Sequence, residues 1–256
     1  MQPLWDWILR HVGAAGIASP AGLLTAVVAG VYLPGLVFSF VDVFVTGRMT
    51  LAECRAVHWR AMKWYGSFYP LAMITFWALP MTLLSSVPDA APSTFEFCRD
   101  LVFYFLLGDV VSYFWHRWEH ANAWYMRNIH SVHHVDTPPL SIWTAMVVHP
   151  VEGITVFACF HVYAILFPLH PLTLLAGAFS VTAVNMITHC GYRLPGYDRI
   201  FATAREHDIH HASRDPRNVS VMLSICDRMF GTFEKAALAS RPAIRASRRA
   251  RRRRSP

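Results

Sequence analysis

Two apolar runs decide what this chain can fold into. Residues 22–46 (GLLTAVVAGVYLPGLVFSFVDVFVT) and 64–87 (WYGSFYPLAMITFWALPMTLLSSV) each exceed the ~20 residues a helix needs to cross a hydrocarbon core of about 30 Å. In lipid the backbone must satisfy its own polar groups, so each run is expected to be a transmembrane helix. A third run, 97–115, carries Arg99, Asp100 and Asp109. Segments 153–167 and 172–189 read as a short apolar hairpin turning at 168–171, either spanning or re-entrant. The expected fold class is all-α integral membrane, with about four to five transmembrane or re-entrant helices.

The 256 residues show no Gly/Ser linker, so one structural unit is expected. Within it, 1–96 forms an N-terminal membrane region of one interfacial helix and two transmembrane helices, 97–235 carries the histidines, and 236–256 is a basic disordered tail. Charged residues make up only 15% of the chain, against about a quarter in soluble proteins, so the apolar excess must face lipid. Met1 to Ser19 lacks a basic start followed by an apolar core, so a cleaved signal is not expected, and an amphipathic helix on the membrane is.

The formal net charge of +7 comes largely from the stretch Arg241 to Arg254. Such a tail reads as a solvated end drawn to anionic headgroups, and no nucleic-acid partner is expected. The 48–63 connection holds Arg48, Arg55, Arg60 and Lys63, whereas 88–96 and 168–171 hold no lysine or arginine. Positive connections stay cytoplasmic, which puts 116–150 and everything from 190 onward, including the C-terminus, in the cytoplasm. The five cysteines form no CxxC pair, so any metal must be bound by histidine.

Histidine is concentrated in HRWEH (His116, His120), HSVHH (His130, His133, His134) and HDIHH (His207, His210, His211). Spacings of three and four put each set on one face of a helix. Neutral imidazole suits zinc, copper, iron or nickel. Eight clustered histidines are too many for one ion, so two ions are expected, each with four or five ligands and a position left for water, oxygen or substrate. A histidine-rich helical cap at the cytoplasmic membrane surface would hold this dimetal centre, where an apolar substrate can arrive from lipid.

His189 follows Asn185 by four residues on one helical face and is expected as a further ligand, with Asn185 a weak ligand or second-layer partner. His149 is expected as a ligand or a hydrogen-bond partner. Asp109, seven residues before His116, is the best candidate for a carboxylate that orients an imidazole. Glu119 reads as solvated, Asp136, Glu152, Glu206 and Asp208 lie near the clusters, and His11, His58, His161 and His170 read as interfacial or packed.

HRWEH, HSVHH, HPVEG, HCGYRLP, HDIHH and DRMFGTF, in that order, resemble the fatty acid hydroxylase and sterol desaturase superfamily of membrane di-iron oxygenases over about residues 97–235. The resemblance implies two iron ions, dioxygen as co-substrate and an external electron donor of the cytochrome b5 or ferredoxin/reductase type. It implies C–H hydroxylation or desaturation of a lipid, making the chain an oxidoreductase. It assigns the metal-holding and catalytic role to His116, His120, His130, His133, His134, His207, His210 and His211, with His189 matching an extra histidine before the GY pair. Asn185 stands where some members have histidine. Zinc binds imidazole as well, so the alternatives are a zinc-dependent membrane hydrolase and a non-catalytic metal- or lipid-binding relative.

Overall fold

The computed structural model describes residues 1–64, 66, 87–213 and 216–235. Nearly all of the expected span at 64–87, and the basic tail from 236, lie outside these residues. The described residues are helical, with no strand beyond one isolated bridge between Phe201 and Leu223.

Helix α1 (Gln2–Ala18) bends at Gly13, whose φ of 75° breaks the helical path. Ser19 adopts an extended conformation and Pro20 starts α2 (Pro20–Phe40), because proline's fixed φ suits a first helical turn. α2 runs on through one widened turn at Val41–Val45. Pro20–Val45 is the one helix among the described residues long and apolar enough to cross a membrane. Helix α3 covers 51–64.

Helix α4 (Thr94–Ala121) starts in a capping box between Ser93 and Glu96. At 28 residues it is about 42 Å long, and its last turn carries His116 and His120. Helix α5 (Ala123–Asn128) is capped by the Asn122 side chain and leads into a 3-10 turn at His130–Val135. A second 3-10 turn, Ile142–Met146, is wholly buried. The apolar hairpin is present: α6 (Pro150–Phe160) and α7 (Val162–Leu166) return through α8 (Pro171–Ile187). These helices are shorter than a membrane-spanning length.

Small residues allow close helix packing, as is usual where lipid removes the hydrophobic drive between helices. A Cβ at Gly30 of α2 would lie 2.6 Å from the Phe179 carbonyl of α8, and one at Gly108 of α4 would lie 2.9 Å from the Phe160 carbonyl. Tyr104, Phe160, Leu174 and Val181 fill the space between α4, the α6–α7 arm and α8. Two short helices complete the histidine face, α9 (Ala204–Ala212) and α10 (Ile225–Phe230). α9 opens with a capping box between Thr203 and Glu206, and Gly231, at φ 71°, gives α10 the left-handed C-terminal turn that glycine adopts freely.

A buried ion pair ties this face to α2. Arg48 contacts both Asp42 oxygens at 2.8 Å, and the Tyr192 hydroxyl donates to Asp42 Oδ1 at 2.5 Å. Arg48 also fills the space beside Gly191, where a Cβ would meet Nη1 at 2.1 Å, and donates to the Cys190 carbonyl. The segment HCGYRLP thus locks the end of α8, and with it His189, against the end of α2.

Candidate metal centre

The histidine clusters do not each form a separate site. Their nitrogens sort into two groups: His116, His120, His130, His134 and His210 in one, and His133, His189, His207 and His211 in the other. Within each group the donor atoms all lie within 4.8 Å of one another.

Helix geometry explains the sorting at α9, where His207 and His211, one turn apart, face one group while His210 faces the other. At HSVHH the expected α-helix is instead a 3-10 turn. Its tighter winding separates the two neighbours: His134 Nε2 lies 3.0 Å from His130 Nε2, while His133 Nε2 lies 3.4 Å from His189 Nε2. The groups adjoin, since the His134 and His211 rings stack at 4.4 Å. His189 therefore lies with the clustered histidines, whose donor atoms fall into groups of five and four.

Four of the outward nitrogens are pinned by backbone carbonyls. Nδ1 of His116 donates to the Val219 carbonyl at 2.7 Å, and that of His210 to Arg217 at 2.9 Å. Nδ1 of His189 donates to Asn185 at 2.9 Å, and that of His133 to Val147 at 3.4 Å. A carbonyl can only accept, so these rings carry their proton on Nδ1 and present a lone pair at Nε2. His133 and His189 then set two lone pairs 3.4 Å apart with no proton between them. Such a contact is repulsive unless a cation lies between the nitrogens.

The spacing fits a metal ion. With metal–nitrogen bonds of about 2.0–2.1 Å, cis ligands lie about 3.0 Å apart in an octahedron and about 3.4 Å apart in a tetrahedron. The Nε2 pairs here lie 2.9–3.4 Å apart. Burial pushes His130, His133, His207 and His210 well below the ordinary imidazole range, and neighbouring imidazoles add to it. His134 is pushed down to about 3 by the same causes. At neutral pH all are uncharged donors.

Two carboxylates depart from the sequence expectation, Glu119 and Asp109, and Glu152 takes the role expected of Asp109. Glu119 is fully buried, not solvated: Oε1 accepts from Trp115 Nε1 at 2.7 Å, and Oε2 lies 3.7 Å from His130 Nδ1. Glu152 accepts from His130 Nδ1 at 2.9 Å and is the carboxylate that orients an imidazole. Asp109 does not fill that role. Its Oδ1 accepts from the Leu223 backbone at 2.9 Å, anchoring the loop before α10. An acid one face away from a ligand can reach either the ring or a neighbouring loop, and helical periodicity alone does not choose.

His149 lies outside both nitrogen groups. Its Nδ1 accepts from Val151 N and caps α6, so the HPVEG motif reaches the site through Glu152 instead. Asn185 reaches it through its backbone carbonyl on His189, and its carboxamide lines the adjoining cavity. His161 is buried against Phe157, His58 packs on Trp143, and His170 caps α8, while His11 is exposed, so none of them joins the site.

Asp227 of the DRMFGTF segment was not singled out by sequence. It accepts from Val219 N at 2.8 Å, Ser220 N at 3.0 Å and Thr232 Oγ1 at 2.7 Å, fixing the loop whose carbonyls hold His116 and His210. In the same loop Asn218 takes a left-handed φ of 49° and donates to the carbonyls of Glu206 and Glu234.

Residues 101–232 match the family model described as fatty acid hydroxylase. The chain is 30% identical over 232 residues to a cholesterol 25-hydroxylase-like protein of Caenorhabditis briggsae, covering 82% of this chain and 75% of that one. It is 31% identical to methylsterol monooxygenase 2-2 of Arabidopsis thaliana, covering 59% and 58%. It is 25% identical to lathosterol oxidase of Rattus norvegicus, covering 59% and 50%. No solved structure matches.

Proposed function

Because the chain belongs to the fatty acid hydroxylase family, whose members are lipid-oxidising oxidoreductases, we propose that it is a membrane-bound di-iron oxygenase. It would carry out dioxygen-dependent hydroxylation or desaturation of a lipid. The observation that carries this reading is the pair of buried, uncharged imidazole groups whose lone pairs converge at metal-ligand spacing.

His116, His120, His130, His134 and His210 would hold one iron, and His133, His189, His207 and His211 the other. When bound, the two irons supply the redox capacity for dioxygen reduction, so that C–H, O2, two electrons and two protons give C–OH and water. The backbone carbonyls and Glu152 fix the tautomers of His116, His133, His189, His210 and His130, so these five rings need not turn or lose a proton before ligation. The apolar residues Val148, Val156 and Phe160 line the cavity beside His116, His130 and His133 and exclude bulk water from the carbon to be oxidised. Electrons would come from a separate donor of the cytochrome b5 or ferredoxin/reductase type, and the substrate from the membrane.

The test is anaerobic purification in detergent, metal quantification, then addition of reductant, oxygen and membrane lipids. Two irons per chain and an oxygenated or desaturated lipid are expected, and His133→Ala or His210→Ala should lose metal and turnover together. Zinc retained with reductant-independent hydrolysis would reject the reading in favour of the hydrolase, as would full activity in the alanine variants.

A further inference from the structure

Helix α10 is inverted relative to a helix on a soluble surface. Its acid, Asp227, is 1% exposed, while Met229 is 71% exposed and Ile225 and Phe230 are exposed with it. The exposed Ile200 lies beside them, because its carbonyl accepts from Ser224 N at 3.2 Å. Single exposed apolar residues are ordinary, but a contiguous set marks a surface that meets something other than water.

The patch continues a stripe on α4. Phe103, Leu106, Val110 and Phe114 are exposed at spacings of three and four, so they share one face. The Phe230 ring meets Phe114 edge-on at 5.1 Å and stacks on Tyr113 at 5.5 Å. The two surfaces are therefore one, and what covers the stripe also covers the patch.

Depth along α4 identifies that occupant. A helix of about 42 Å, crossing near the membrane normal, exceeds a hydrocarbon core of about 30 Å by about 12 Å. Phe114 stands about 10.5 Å before the last residue, Ala121. However the surplus is divided between the two ends, Phe114 lies inside the core or within about 2 Å of its boundary. Asp109, deeper still, accepts from the Leu223 backbone at 2.9 Å, so the loop before α10 is held at the same level. An acid in an apolar run is costly unless it is used, and this one holds that loop down. Exposed arginines flank the patch: Arg228 on α10 itself, Arg199 next to Ile200, and Arg117, whose Nη1 donates to the Tyr113 hydroxyl at 3.4 Å. Cations around an apolar patch complement phosphates above acyl chains.

We propose that α10, with Ile200 and Phe114, inserts into the headgroup/acyl boundary of the leaflet on the histidine side, with the three arginines at the phosphate layer. This contact is additional to the spanning helices, goes beyond the oxygenase reading and rests on α4 crossing the membrane. It brings the bilayer close to one half of the metal centre: Asp227 holds the backbone of Val219 and Ser220, and the Val219 carbonyl holds His116.

The test is fluorescence quenching in the full, metal-loaded chain reconstituted in vesicles of phosphatidylcholine and phosphatidylglycerol. Cys98→Ser removes the exposed native cysteine, and Met229→Cys or Ile225→Cys then carries a bimane label on the patch. A label about 5–10 Å into the boundary should lose about half or more of its emission to lipids brominated in the upper acyl chain, and little to aqueous iodide. Quenching by iodide without quenching by bromolipid overturns the proposal, because the patch then faces water. Protection from both quenchers also overturns it, as a second copy or another protein seated on the patch would give.

A label at Phe103→Cys, on the α4 stripe, separates this inference from the span it rests on. Bromolipid quenching at Phe103 but not on α10 keeps α4 in the bilayer and rejects the contact. Quenching at neither position overturns both. Quenching on α10 alone keeps the contact and rejects the span.

Discussion

Replacing Glu152 should weaken one metal position and spare the other. Glu152 accepts from His130 Nδ1 at 2.9 Å, and both side chains are almost fully buried. Stripping a buried donor of its acceptor in such a place costs about 1–3 kcal/mol, which at 1.36 kcal/mol per decade is about 5- to 160-fold in affinity. Glu119 is no substitute, because its Oε2 stands 3.7 Å from the same nitrogen. Glu152→Leu should therefore lower metal affinity by that factor in the five-histidine group, while the group of His133, His189, His207 and His211, which Glu152 does not touch, keeps its own. Glu152→Gln retains an accepting oxygen and should lose under tenfold. The assay is competition of cobalt(II) with a chromophoric chelator, reading two ligand-field bands and their separate affinities. Two unchanged affinities in Glu152→Leu would refute the reasoning, and so would an equal fall at both positions in a protein that melts normally.

Three other outcomes follow from the same geometry. Asp227→Ala strips three donors, two of them buried, of their acceptor and should destabilise by about 3 kcal/mol, with metal lost first from the group containing His116 and His210, as thermal melts and metal analysis would show. The metal-free protein should lose stability on acidification: its buried imidazoles, His134 at about 3 among them, lie below the unfolded value near 6.5. The unfolded chain then binds more protons below pH 6.5, and each such imidazole removes about 1.4 kcal/mol per pH unit from there down toward its folded value. A melting temperature that is level from pH 8 to 7 and falls steeply toward 5 is expected, and a flat profile would contradict it. A reporter fused after Pro256 should read cytoplasmic, and a signal from the opposite face would overturn the orientation drawn from Arg48, Arg55, Arg60 and Lys63.

Much of the site was legible because it is local. Spacings of three and four put His207, His210 and His211 on one helix, α9, although His210 turns to the other group, and His189, read with Asn185 on one face, lies beside His133, His207 and His211. What sequence could not supply was the partition. HSVHH has a helical rhythm, but as a 3-10 turn it sends adjacent histidines to different groups. The carboxylates were misjudged for a related reason. Glu119 sits between two ligands in sequence, yet its burial depends on Trp115 and on the α5–α6 region folding over it. Asp109 and His149 carry the right chemistry for the site and spend it on backbone groups instead. Helix packing was legible only as apolar length, since the need for glycine at 30 and 108 arises from carbonyls on other helices.

The carbonyls of Arg217, Val219, Val147 and Asn185 that hold four of the imidazoles have a consequence for variation in this chain. A main-chain oxygen is the same whatever residue bears it, so an alanine scan across 217–219 leaves those acceptors chemically intact. Their information is stored in chain length. Removing or inserting one residue between α9 and α10 shifts the path by up to about 3.8 Å, which would re-aim His116 and His210 together although neither is altered. In this loop an indel should be far more damaging than most substitutions away from Asn218, so tolerance to length change and tolerance to side-chain change should separate sharply here.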